Sequence, residues 1–125
     1  MLALKCVIAD KDSIPTMIFD EIDTGVSGRA AQKIGVKLHE LGSVRQVLCV
    51  THLSQIGIMA EHHLKIEKQQ ENDRTSTKVT PLDFEGRVRE IGRIMCGEPP
   101  SELILKSARE ELLRQHPQFA KESKN

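Results

Sequence analysis

The stretch Thr16 to Asp23, TMIFDEID, runs three apolar residues into a segment that carries Asp20, Glu21 and Asp23. Carboxylates crowded at the end of an apolar strand repel one another, and the repulsion raises the pKa of at least one unless a cation or a donor offsets it. A hard divalent ion is the simplest remedy. Mg²⁺ takes oxygen ligands, keeps several waters and is usually held by one or two carboxylates together with substrate phosphates. A second carboxylate beside the metal ligand is then placed to orient or deprotonate an attacking water, a role worth roughly 10² to 10⁴ in rate. Downstream, the apolar run VLCV leads into Thr51 and His52. An imidazole there can hydrogen-bond a terminal phosphate or the same water. Taken singly, an acidic pair is as easily a helix-capping loop, and a strand-end histidine a satisfied polar residue. It is the combination of the two strand ends that favours phosphoryl chemistry, with an apolar strand followed by Asp matching the Walker B element that holds Mg²⁺ in P-loop NTPases.

These side chains need elements to hold them. TMIF (16–19) and VLCV (47–50) are short, continuous apolar runs, which suit strands of a parallel sheet covered on both faces. Between them Ser27 can cap a helix whose inward face is Ala31, Ile34, Leu38 and Leu41 and which stops at Gly42. Strand, helix, strand is a βαβ unit, and ligands of such sheets bind outside the carboxyl ends of the strands. SQIGIMA (54–60) predicts a short helix capped by Ser54. HHLKIEK (62–68) and RTSTKVTPL (74–82) alternate, with QQEND as a turn between them, so an edge hairpin with one wet face is expected. Asp83 can cap a helix burying Phe84, Val88, Ile91 and Met95 and ended by Gly97 and the Pro99-Pro100 pair. A last helix over 101–115 stops before Pro117, and 118–125 reads as a frayed tail. At the other end, MLALKCVIA (1–9) looks like the end of a buried helix without a cap, followed by a loop, DKDSIP.

Composition narrows the classes. The chain has 125 residues, enough for one domain with a single core, and 38% apolar against 29% charged residues is ordinary for a globular protein. Eighteen basic and eighteen acidic side chains cancel, so bulk charge argues for neither a nucleic-acid nor a membrane partner. No apolar run approaches the roughly 20 residues of a membrane span, and the N-terminus lacks the pattern of a signal peptide; a cytoplasmic location is the expectation. Cys6, Cys49 and Cys96 form no CxxC and read as reduced thiols. Trp and Tyr are absent, which removes the platforms on which single-stranded bases stack. His62 and His63 are adjacent on an expected strand, point to opposite faces and make a poor chelate. Arg87, Arg89 and Arg93 read as a solvated helix face.

IFDEIDTGVSGRAAQKIGVKL and QVLCVTHLSQIGIMAEHHLKIEK together resemble the C-terminal part of the ATP-binding head of the RecN family of bacterial DNA-repair ATPases, relatives of the SMC proteins. The resemblance runs from Met1 to about residue 115. It implies an α/β fold: part of a P-loop NTPase head of the ABC/SMC type, with parallel strands, an edge hairpin and flanking helices. Residues 1–117 then form the C-terminal lobe of that head. The resemblance casts Asp20 as the magnesium residue, Glu21 as the catalytic glutamate and His52 as the switch histidine that senses the γ-phosphate. It places Asp23, Thr24 and Gly25 in the loop that lies across a head-to-head dimer, and gives Gln55 no role. Mg²⁺ and ATP are the implied cofactors. A second head, the N-terminal half of the same head and DNA are the implied partners, with no membrane and a site of action on the nucleoid.

Two family elements are absent from the sequence. None of the eight glycines is followed by Lys, so there is no GxxxxGK[ST] loop to cradle phosphates, and there is no LSGGE-type signature. The chain is therefore expected to be a C-terminal piece holding half of the catalytic groups, unable by itself to bind ATP tightly or hydrolyse it, with uncovered strand edges prone to pair with other chains. Two other functions fit the same residues: a metal-dependent phosphohydrolase using Asp20, Glu21, Asp23 and His52, and a non-catalytic interaction module.

Overall fold

The computed structural model describes residues 15–20, 22 and 25–122. The expected helix end at 1–9, the loop after it, and Glu21, Asp23 and Thr24 lie outside that set. In place of the single core expected from length, the chain divides after Ala60 into two compact units.

The first unit is built on two parallel strands, β1 (Thr16–Asp20) and β2 (Gln46–Val50), with Thr16 opposite Gln46 and Asp20 opposite Val50. Side chains alternate across a strand, so Met17, Phe19, Val47 and Cys49 share one face and Ile18, Asp20, Leu48 and Val50 the other. The first face carries the core: Phe19 is fully buried against Leu38 and Leu41 of helix α1 (Gly28–Gly42) and Ile56 of helix α2 (Ser54–Met59). The other face is open, with Ile18 66% exposed and Leu48 and Val50 also exposed. Cover on both faces was the expectation from the continuous apolar runs; the described residues place helices on one side only.

The ends of these helices also depart from expectation. Ser27 occupies the cap position of α1 in extended conformation, but its side chain makes no capping bond. Gly42 is the last helical residue, and the helix is closed by Ser43, whose hydroxyl donates to Glu40 O at 2.6 Å. Ser54 is the first residue of α2 rather than its cap. The turn into α2 is held instead by Thr51 Oγ1, which accepts the Leu53 N–H at 3.1 Å.

The second unit starts with a hairpin of β3 (Leu64–Glu71) and β4 (Arg74–Pro81), joined by Asn72 and Asp73, both at positive φ. Two such residues make the tight turn whose twist matches the strands, so Gln69 to Glu71 continue the strand instead of forming the turn. The one wet face is apolar: Leu64 (51%), Ile66 (56%) and Val79 (54%) are exposed, while Lys65 and Glu67 are half-buried. Charge explains the inversion. Lys65 Nζ lies 2.8 Å from Glu67 and 3.7 Å from Glu90 on helix α3 (Phe84–Cys96), so an ionic contact seats the ribbon.

Helix α3 opens on Asp83, whose carboxylate accepts the Gly86 N–H at 2.7 Å, and ends at Gly97, whose φ of 89° only glycine adopts without strain. Val88 and Ile91 are buried as the periodicity predicts, whereas Met95 is exposed. Of the three arginines expected on a solvated face, Arg89 is exposed, whereas Arg87 is 2% exposed and Arg93 grips Glu90 with two bonds of 2.6 and 3.0 Å. Helix α4 (Glu102–Gln115) is capped by Ser101 and buries Ala108 and Leu112. The chain does not fray at 118. Gln118–Glu122 form helix α5, and the Phe119 ring sits 5.1 Å from Phe84, 5.8 Å from His116 and under the Arg87 guanidinium.

An aromatic pair of this kind contributes about 0.5–1.5 kcal/mol beyond its area burial. Phe119→Ala is therefore expected to destabilise the chain by about 1–3 kcal/mol in urea denaturation, where a frayed tail would give no change.

Candidate functional site

Because β1 and β2 run parallel and in register, their carboxyl ends lie at one edge of the sheet. Asp20 closes β1, and His52 follows two residues after Val50 closes β2, so the two residues that sequence chemistry singles out come to the same edge. Both are exposed. Ile22 is half-buried against the Phe19 core. Gly25 then takes φ of 73°, a left-handed conformation that costs a residue with a Cβ roughly 1–2 kcal/mol, and leads into α1. Glu21, Asp23 and Thr24 lie outside the described residues, so of the six candidate site residues three can be located: Asp20, Gly25 and His52.

The donor set at this edge can be tested against magnesium. Among the described residues no three His, Cys, Asp or Glu side chains cluster as a complete metal cage, and none surrounds His62 and His63. One exposed carboxylate at a strand end nevertheless fits the usual manner of holding Mg²⁺, which relies on one or two carboxylates with waters and phosphates completing the shell. Asp20 fits a magnesium shared with a phosphate ligand. A cage able to hold the ion alone is not formed by the described residues.

A second polar cluster, in the other unit, was not visible in the sequence because its members sit on two separate elements. His63, just before β3, is half-buried beside Arg87 and Glu90 of α3. Arg87 Nη1 donates to Glu61 O at 3.3 Å, and His63 Nδ1 is buried with no hydrogen-bond partner among the described residues. Burial, then the charge of Arg87, hold the His63 pKa below its ordinary value, against a smaller opposing effect of Glu90. At Glu90 burial pushes the carboxyl up, but the bonds from Arg93 and the charges of Lys65 and His63 outweigh it, so its pKa is lowered.

Both shifts carry the same sign for stability. A group whose pKa is lower folded than unfolded takes up its proton more readily when unfolded, so its stabilising contribution is present above the unfolded pKa and is lost as pH falls. For His63 the loss begins below its ordinary 6.5, and for Glu90 below its ordinary 4.5. Urea denaturation across pH 8 to 2.5 is thus expected to show stability falling in two windows, one below 6.5 and one below 4.5, with His63→Gln abolishing the upper one and leaving the lower.

No family model matches the chain. It is 45% identical over 115 residues to the DNA repair protein RecN of Bacillus subtilis (strain 168), a match spanning 92% of this chain and 20% of that protein. The RecN of Rickettsia prowazekii (strain Madrid E) is 45% identical over 112 residues, 90% of this chain and 20% of its own length. That of Haemophilus influenzae is 40% identical over 111 residues, 89% of this chain and again 20% of the protein. The chain spans about one fifth of the length of these relatives. Among solved structures, an SMC ATPase studied for ATP-driven dimerization and DNA-stimulated activation superposes with a TM-score of 0.63 at 18% identity, over 78% of this chain and 58% of that one. This likeness bears on the fold alone, which is the α/β, P-loop NTPase-like fold of SMC ATPases. No helix among the described residues is long and apolar enough to cross a membrane. Over nine-tenths of its length, then, the chain matches a C-terminal segment of RecN DNA repair proteins, about one fifth of their extent, carried on an SMC-type ATPase fold.

Proposed function

We propose that this chain supplies the hydrolytic edge of the ATPase head of a RecN-like protein that acts in the repair and recombination of broken DNA. The observation that carries this reading is the parallel register of β1 and β2, which brings Asp20 and His52 to one edge of a sheet whose sequence matches RecN. Asp20 would hold a Mg²⁺ shared with the phosphates of ATP, and the ion would supply neutralisation of the charge that develops there. Glu21 orients the attacking water and takes its proton. His52 donates to the γ-phosphate from the next strand. Asp23, Thr24 and Gly25 face a second head, where they couple one ATP site to the other.

The chain's own residues cover only part of the reaction. Phosphoryl transfer relies on positioning and charge neutralisation, and the backbone cradle and lysine that hold the phosphates are not in this sequence. They come from another segment of the head. The open face of Ile18, Leu48 and Val50 beside Asp20 is consistent with such a segment packing there. DNA and the second head are partners of the assembled protein, and the residues described here act where ATP is cleaved.

The test is a chimera in which this chain replaces the matching fifth of Bacillus subtilis RecN. ATP turnover is expected in the chimera, with Glu21→Gln lowering kcat by about 10² or more while ATP binding persists, and Asp20→Ala weakening the magnesium dependence. Unchanged turnover in Glu21→Gln contradicts the assignment.

A further inference from the structure

Helix α1 divides its surface between burial and charge. Ala31, Gly35, Leu38 and Leu41 are buried, and Arg29, Lys33 and Lys37 stand exposed at four-residue spacing. With 3.6 residues per turn, each member of the row is offset by about 40° from the one before, so the three occupy about 80° of the helix surface over about 12 Å of its length. No Asp or Glu lies between Asp23 and Glu40, so no acidic side chain interrupts the row before its far end. There Lys37 Nζ lies 3.3 Å from Glu40, while Arg29 and Lys33 have no ion-pair partner among the described residues. Like charges four residues apart repel and weaken a helix. In a chain whose formal charge is zero, this is a local concentration of one sign that the helix itself only partly offsets.

What offsets such a row is a line of anions. Each strand of duplex DNA carries about one phosphate per 3.4 Å of axis, so about 12 Å of duplex presents about seven, more than three cations need. Other anionic surfaces fit less well. A helix lying in a membrane surface buries an apolar face among the lipids, and the apolar face of α1 is already spent on the Phe19 core. Single strands are gripped by stacking bases on aromatic rings, but Phe19 is fully buried and Phe84 and Phe119 pack against each other in the other unit.

We propose that Arg29, Lys33 and Lys37 form a contact surface for the phosphate backbone of duplex DNA, indifferent to base sequence. The inference goes beyond the ATPase reading and rests on it only in taking DNA as the partner. The three cations act at DNA phosphates and have no part in cleaving the nucleotide.

Fluorescence anisotropy of a labelled duplex of about 20 base pairs, titrated with the full 125-residue chain at a series of low salt concentrations, tests it. Three neutralised phosphates give a slope of log K against log salt of about −2.7, since each contact contributes about −0.9. Replacing Arg29, Lys33 and Lys37 together by Gln is expected to flatten the slope and to weaken binding about tenfold or more at the lowest salt, with the urea midpoint preserved. Replacing Lys68, Lys106 and Lys121 by Gln removes the same charge from exposed positions of the other unit and is expected to leave binding unchanged. No duplex binding by the parent chain, equal binding by the two triple variants, or tighter binding to phosphatidylserine vesicles than to the duplex overturns the proposal. ATP turnover by the chimera without DNA is read separately. Turnover with no duplex binding removes the basic row alone, and duplex binding with no turnover removes the ATPase reading alone.

Discussion

Every feature of the candidate site depends on the parallel pairing of Thr16–Asp20 with Gln46–Val50. Parallel strands need a crossover to bring the chain back, and α1 is that crossover, so Asp20 at the end of β1 and the His52 segment after β2 emerge at the same edge. A slip of one residue would turn Asp20 to the Phe19 face and bury a carboxylate in the core. The register is held by Phe19, which is fully buried and packs against α1 and α2 together, and at the opposite end by the bond from Gln46 N–H to Pro15 O.

The second unit uses charge where the first uses apolar burial. Lys65, Glu67, Glu90 and Arg93 form a connected set under the hairpin, while Arg87 is enclosed by Glu61 O and the Phe119 ring. Burying an ion pair repays its desolvation only when the geometry is good and further hydrogen bonds complete it. Glu90 meets that condition with two bonds from Arg93. The arrangement leaves Leu64, Ile66 and Val79 exposed, so each unit has an uncovered apolar face, that of the first being Ile18, Leu48 and Val50.

Much of this was legible in the sequence, and the failures have physical causes. The order of elements, the parallel pair, the Asp83 cap and the Gly97 stop follow from local chemistry: apolar run length, a capping carboxylate, a glycine free to take positive φ. The meeting of Asp20 with His52 at one edge follows from topology once both runs are read as strands of one sheet. What local patterns could not reveal was which side of an alternating strand faces inward. Leu64 and Ile66 look like core residues until Glu90, more than twenty positions away, is seen to draw Lys65 underneath. Arg87 reads as a surface charge, and Gln118–Glu122 as a tail, for the same reason: each depends on Phe119 meeting Phe84 across 35 positions. Ser27 does take the cap position of α1, though without a side-chain bond, whereas Ser54 is the first helical residue of α2 and Thr51 and Ser43 hold the turns.

On the proposed ATPase reading, Asp20, Glu21 and His52 serve metal, water and γ-phosphate, while the cradle for the nucleotide is not in this sequence. Titration calorimetry of the isolated 125-residue chain with Mg²⁺-ATP tests it most directly. No binding tighter than about 1 mM and no turnover are expected. Micromolar binding of ATP by the chain alone, lost on Asp20→Ala, would contradict it.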